Sequence, residues 1–282
     1  MRWISCTDYA NGQLFSNDKI DDFMKHTLTF LGTSTSVGIP VIGCDCPRCT
    51  STDPKVHRMR SSIVIESEEQ TILVDAGPDL RHQALRHQLV HIDCVLYTHG
   101  HLDHIAGFDE LRAFCWRRED LLPLYGNKDC IETLQQMYAW AFSKKNTYKG
   151  YVRPVARQFD GPFEMGSMKI QPILVNHGSI TTHGFKFITD EGAEVVYIPD
   201  VKSIPEASYA LIGAPDILII DCLREQEHPA HMSVKESLAA VERISPAEAY
   251  FTHCSHEMDC VEVAKTLPNH VSFSYDTQSL FF

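Results

Sequence analysis

Short apolar runs, set apart by turn-forming residues, recur along most of the chain. Residues 27–31, 62–66, 71–75, 94–98, 122–125, 169–175, 185–189, 195–199, 217–221 and 249–252 have the length and β-branched content of strands buried on one or both faces. Apolar residues at helical spacing predict helices over 109–118, 130–142, 233–244 and 259–267. The third of these opens with Ser233-Val234-Lys235-Glu236, a capping-box pattern, and stops before Pro246. Hairpin-like spacing comes first and strands alternating with helices come later. That order predicts an α+β fold with two sheets face to face and helices outside them. Residues 1–25 are polar and aperiodic, which suggests a peripheral extension ahead of a domain over 26–282.

Composition narrows the class. A chain of 282 residues, 44% hydrophobic and 22% charged, can bury a core. Its 25 Lys and Arg against 37 Asp and Glu give a net charge of −12, which argues against a protein that grips a nucleic-acid backbone and makes small substrates the default. No apolar run is long enough to span a bilayer, and Met1–Asp8 lacks a signal-peptide core, so a cytoplasmic protein with no membrane partner is expected. Ten cysteines are too few for a disulfide scaffold.

The most informative stretch is His99-Gly100-His101-Leu102-Asp103-His104, directly after a predicted strand. Its His-x-His-x-Asp-His spacing would arise by chance about 0.003 times in a chain of this composition. Two imidazoles leaving a strand end two residues apart can face one point, and the following turn brings Asp103 and His104 toward a second. Imidazole and carboxylate ligands suit zinc, manganese or iron, and open sites are catalytic. The plain alternative is a His-rich surface loop. His177, Asp200 and His253 each lie where a later strand emerges, so all could converge on one edge of the core.

A second cluster, Cys44-Asp45-Cys46-Pro47-Arg48-Cys49, has Cys-x-Cys-x-x-Cys spacing and reads as three thiolates of a closed structural zinc site. The fourth ligand is His256, with Cys254, or a redox role for the thiols, as the alternatives.

These motifs, in this order, resemble the metallo-β-lactamase-fold hydrolase superfamily. The resemblance implies a four-layer αββα sandwich. It also implies that His99, His101 and His177 hold one divalent ion (Zn²⁺ or Mn²⁺), that Asp103, His104 and His253 hold another, and that Asp200 bridges them. An Asp at that bridging position speaks against an antibiotic-degrading β-lactamase. The cysteine cluster after Gly32–Pro40, with the closing Thr252-His253-Cys254-Ser255-His256, is similar to the phosphoribosyl cyclic phosphate phosphodiesterase subgroup. In that subgroup the cysteines and the second closing His hold a structural Zn²⁺, and His231 stands where a further catalytic His is found. A homodimer follows only from the resemblance.

The expected activity is hydrolysis of a small phosphodiester, linear or cyclic, by a water shared between two cations. Asp103 would orient that water and His231 would protonate the leaving alkoxide, with His228 as the weaker donor. Arg58 and Arg60 either steady a phosphate or form a solvated basic loop. The competing readings are a tRNA-processing or other nuclease of the same superfamily, and a non-hydrolytic metal protein resembling PqqB.

Overall fold

The computed structural model describes residues 26–282; the proposed extension over 1–25 lies outside the described residues. The first sheet is built from β1 (Thr27–Gly32), β2 (Ser62–Glu66), β3 (Thr71–Val74), β4 (Cys94–Leu96), β5 (Leu122–Gly126) and β6 (Pro154–Gln158). The second contains β7 (Phe163–Met165), β8 (Met168–His177), β9 (Ile180–Thr189), β10 (Glu194–Ile198), β11 (Ile217–Asp221), β12 (Glu248–Thr252) and β13 (Val271–Phe273), and β14 (Ser279–Phe281) returns to pair with β1. Strand orders are β14-β1-β2-β3-β4-β5-β6 and β13-β12-β11-β10-β9-β8-β7. Each sheet is antiparallel on one side and parallel on the other. The switch falls after β3 in the first sheet and at β10 in the second.

Strand sequences explain the layering. In β2, Ile63 and Ile65 face the second sheet while Val64 faces the helices; in β3, Ile72 and Val74 face inward while Leu73 faces outward. Strands covered on both faces are apolar almost throughout, as these are. The intersheet core joins them to Phe185, Phe187, Val195, Tyr197 and Ile219 of the second sheet.

Outside the first sheet lie α1 (Leu80–Arg86), α2 (Leu102–Ile105), α3 (Arg112–Cys115), α4 (Lys128–Met137) and α5 (Ala139–Phe142), which contribute Leu80, Ile105, Phe114, Leu134 and Ala141 to its outer core. Outside the second lie α6 (Glu206–Ile212), α7 (Val234–Ile244) and α8 (Cys260–Ala264), with Ile212, Val241 and Val263 packed on it. The result is an αββα sandwich. None of the described helices is long and apolar enough to cross a membrane.

The elements depart from the sequence reading in a few places. The helix expected over 109–118 is a 3₁₀ turn, Phe108–Leu111, followed by the short α3, and the one expected over 130–142 breaks at Tyr138. The second break lies at Tyr138, whose ring stacks on Phe108 at a centroid distance of 4.1 Å and packs there against the outer core of the first sheet. Helices α1 and α6 and strands β6, β7, β13 and β14 were not expected. The capping box forms: Ser233 N donates to Glu236 Oε2 at 2.8 Å.

Candidate metal centre

Strands of both sheets, the parallel β4, β10 and β12 and the antiparallel β8, deliver polar side chains at their carboxyl ends to one edge of the sandwich. His99 and His101 follow β4, Asp103 and His104 sit on the single turn of α2, and His177 ends β8. Asp200 follows β10 and His253 follows β12. All seven sequence-predicted residues come together here. Close approach of two loops makes this possible: a Cβ on Gly77 would lie 2.0 Å from the Asp103 carbonyl oxygen, so only glycine lets the chain after β3 reach under α2.

Two trios share the centre. His99 Nε2 lies 2.8 Å and His177 Nε2 3.3 Å from His101 Nδ1. His104 Nε2 is 3.3 Å from Asp103 Oδ2, and these two group with His253. Asp200 stands between the trios, with Oδ2 3.3 Å from His104 Nε2 and Oδ1 3.3 Å from His253 Nε2 and 3.9 Å from His177 Nε2.

Buried groups behind the rings set their orientation. His104 Nδ1–H donates to Asp75 Oδ2 at 2.8 Å, His177 Nδ1–H donates to the Ala230 carbonyl at 2.8 Å, and Thr98 Oγ1 bonds His99 Nδ1 at 2.9 Å. Each ring therefore turns Nε2 toward the centre, the arrangement that outer hydrogen bonds impose on metal-binding histidines. Asp75 also accepts the Thr98 amide and hydroxyl protons. Two members of this assembly hold left-handed backbone although neither is glycine: φ is 64° at Asp75 and 59° at His253.

The donor set fits divalent cations. His104 Nε2, Asp200 Oδ2 and both ring nitrogens of His253 are buried and make no hydrogen bond among the described residues, a cost that a cation ligated there would remove. Burial, together with the neighbouring His104, holds the His99 imidazole well below its ordinary value, and burial brings His253 down to about 4, so both offer lone pairs. Burial would raise Asp200, but His253 and His104 outweigh it and keep the carboxylate ionised. Around His104 the charges of Asp200, Asp103 and Asp75 overcome burial and raise it, so this point attracts positive charge.

His231 lies against the same centre, its ring 4.6 Å from those of both His177 and His253. Its Nδ1–H donates to Asp221 Oδ2 at 2.7 Å, which leaves Nε2 on the opposite side of the ring from that carboxylate. Burial lowers His231, but the Asp221 hydrogen bond and charge prevail and raise it. His228, the weaker candidate, is a rim residue whose Nδ1 accepts the Ala230 amide proton at 3.2 Å.

The second cluster is compact. His256 Nδ1 lies 3.3, 3.5 and 3.8 Å from the sulfurs of Cys44, Cys46 and Cys49, a closed four-donor set. A hydrogen bond from the Cys49 backbone and contact with His256 bring the Cys46 thiol down to about 6, toward the ligating thiolate. Cys254, the alternative fourth donor, is fully buried in the outer core of the second sheet. The loop His253-Cys254-Ser255-His256 thus touches both clusters.

The two arginines follow neither expectation. Arg58 is buried and donates to Thr33 Oγ1 and the Ser274 carbonyl, while Arg60 Nε lies 3.1 Å from Asp79. They brace the loops that frame the first sheet. Sequence reasoning missed Asp75 and Asp221 as supports of the site. The available signal was an acid closing an apolar run, in Leu73-Val74-Asp75 and Ile219-Ile220-Asp221.

Comparison with known proteins places this geometry. Residues 70–254 match the family model described as a beta-lactamase superfamily domain. A crystal structure of a new diphosphatase from the PhnP family is 34% identical, with a TM-score of 0.84, over 91% of this chain and 97% of that one. A coenzyme PQQ synthesis protein B of Methylobacterium radiotolerans is 32% identical over 69% of this chain and 72% of its own. A protein of Porphyromonas gingivalis named octanoyltransferase is 32% identical over 87% of this chain, which spans about half of that protein's length (49%).

Proposed function

Since the chain belongs to the β-lactamase superfamily of metal-dependent hydrolases and stands close to its PhnP branch, we propose that it is a dinuclear phosphodiesterase acting on a small diester, linear or cyclic. The observation that carries this reading is Asp200, whose Oδ1 lies 3.9 Å from His177 Nε2 of one trio and 3.3 Å from His253 Nε2 of the other, while its Oδ2 lies 3.3 Å from His104 Nε2. His99, His101 and His177 would hold one cation and Asp103, His104 and His253 the other, with Asp200 between them. When bound, such a pair supplies a nucleophilic water at neutral pH and positive charge for the phosphoryl oxygens. Cys44, Cys46, Cys49 and His256 would hold a structural Zn²⁺ that fixes the His253 loop.

The protein's own groups do the rest. Asp103, 12% exposed beside the shared centre, orients the attacking water by accepting a hydrogen bond from it. Water adds its oxygen to phosphorus and sheds a proton to solvent, one P–O ester bond breaks, and the departing alkoxide takes a proton from His231 Nε2, which solvent restores. Asp221 holds that ring through Nδ1 and balances its charge. Asp75 and Ala230 keep His104 and His177 turned inward.

A second reading, cleavage of a diphosphate, is favoured by the name of the 34% identical structure. The two readings differ at His231, because a phosphate leaving group needs no proton where an alkoxide does. Metal content per chain and hydrolysis of bis(p-nitrophenyl) phosphate, measured together, test the proposal. About three ions in the wild type and about one in Asp200→Ala, with cleavage lost in the variant, are the expected result. At most one ion in the wild type and no cleavage with any divalent cation would sink it and shift weight to a non-hydrolytic, PqqB-like protein.

A further inference from the structure

Beyond the metal centre, a groove runs from its edge along the start of α4. A cavity of about 290 Å³ is lined by Gly100, which lies between His99 and His101, and by Ser179 and Ile180, just past His177. Asp129 and Thr181 line both this cavity and a second one of about 390 Å³, so the two adjoin. The second lies within the size range of small-molecule sites, about 300–1,000 Å³. His183 lines it, and the His183 amide donates to the Thr98 carbonyl at 3.1 Å, one residue before His99.

The chemistry of the second cavity is specific. Asn127 Oδ1 accepts the Cys130 amide proton, which fixes the orientation of its side-chain amide. Both Nδ2 protons are then directed, one to the Thr181 carbonyl at 3.0 Å and one to His183 Nδ1 at 3.1 Å. His183 Nδ1 is thereby an acceptor, so its proton sits on Nε2, which has no protein partner among the described residues. Burial lowers this imidazole to about 4, so the ring is neutral at physiological pH. Gln158 and Gln171 add amides that can donate or accept, and Phe159, Leu174 and Leu211 supply apolar walls. Lys128 is offset by Asp129 and Asp160, and the lining contains no arginine, so a second phosphate is poorly served there. Gln158 already donates to Asp160 Oδ1 at 3.1 Å and Gln171 to the Pro172 carbonyl at 2.9 Å, so a plain acyl chain would leave the His183 Nε2–H as the group without a partner.

We propose that this groove is the subsite for the organic group of the phosphoester, a neutral heterocycle of the nucleobase kind, with His183 Nε2–H as the donor that selects it. The proposal rests on the phosphodiesterase reading and names its substrate class: a nucleoside phosphoester whose phosphorus lies at the metal centre and whose base lies against Phe159 and His183. Leu174 and Leu211, 46% and 45% exposed, form the lips of the groove.

The test compares kcat/KM for the p-nitrophenyl 5′-phosphodiesters of thymidine and adenosine with that for bis(p-nitrophenyl) phosphate. The metal-loaded wild type should prefer at least one nucleoside ester by about tenfold. His183→Ala should erase that ratio, mainly through KM, while His183→Gln, which keeps a donor, recovers part of it. Leu211→Arg changes only an exposed lip and should also lower the ratio, which guards against a folding defect in the His183 variants. No preference in the wild type, or a ratio unmoved by Leu211→Arg and His183→Ala, overturns the subsite while leaving the phosphodiesterase reading standing. If no diester is cleaved at all, that reading fails by itself. Calorimetric binding of thymidine and adenosine 5′-monophosphates then decides the subsite: affinity above that for inorganic phosphate, and lost in both variants, supports it, and equal affinity overturns it.

Discussion

The two clusters differ in how they are made. Three of the four cysteine-site donors come from one turn of six residues, Cys44 to Cys49, and only His256 arrives from elsewhere. The histidine–aspartate centre draws on the ends of β4, β8, β10 and β12 and on α2, so it exists only when both sheets are in register. A local cluster needs one loop, and a dispersed one needs the whole sandwich. The loop from His253 to His256 couples them, which makes the local cluster an anchor for the dispersed one.

Substitutions can break that contrast or sharpen it. The largest effect is expected at Asp200, where Asp200→Ala should lower diester cleavage by about 10³-fold or more while the cysteine-held ion stays, read by steady-state kinetics and metal analysis of the same sample. Retention of full activity would mean that the two trios act separately. His231→Ala should slow an alkyl diester by about 10²-fold through kcat and a p-nitrophenyl diester much less, since p-nitrophenolate leaves without a proton. Equal slowing of both would remove His231 from the role of acid. Cys46→Ala should release one zinc, lower the melting temperature and reduce activity about tenfold through the shared loop. Loss of the zinc with unchanged kinetics would show that the clusters are independent.

The smallest effect belongs to a group outside both clusters. Asp276 accepts protons from Thr33 Oγ1 at 2.8 Å and from the Met59 amide at 2.7 Å, and burial pushes its carboxyl up to about 6. Its folded value lies above the unfolded one, so the native state holds the proton more tightly. Its contribution to stability is present below about pH 4 and is lost as pH rises through 6. Urea unfolding between pH 4 and 6.5 should show that downward slope in the wild type and a flatter one in Asp276→Asn.

How far the sequence led depended on the range of the interaction concerned. Strands such as Ser62–Glu66 and Ile217–Asp221 were legible to the residue because burial on both faces leaves an uninterrupted apolar run. The four-residue His/Asp motif was legible because its spacing is local, and the cysteine cluster for the same reason. The break at Tyr138 was hidden because that ring packs on Phe108, thirty positions away in the chain, a contact no local spacing records. Asp75 and Asp221 were hidden as supports because their partners, His104 and His231, are set by loop geometry rather than by sequence spacing. Arg58 read as a basic loop residue, yet three-dimensional packing buries it against Thr33 and Ser274.

The left-handed backbone at Asp75 and His253 carries a lesson for anyone improving this protein. Each angle costs an L-residue with a Cβ about 1–2 kcal/mol, a cost that glycine escapes. Glycine at Asp75 would relieve that torsion but strand the Thr98 amide, the Thr98 hydroxyl and the His104 Nδ1–H inside the fold, at about 1–3 kcal/mol each, so the melting point should fall rather than rise. An engineering campaign should therefore leave that torsion strained and seek heat tolerance elsewhere on the chain.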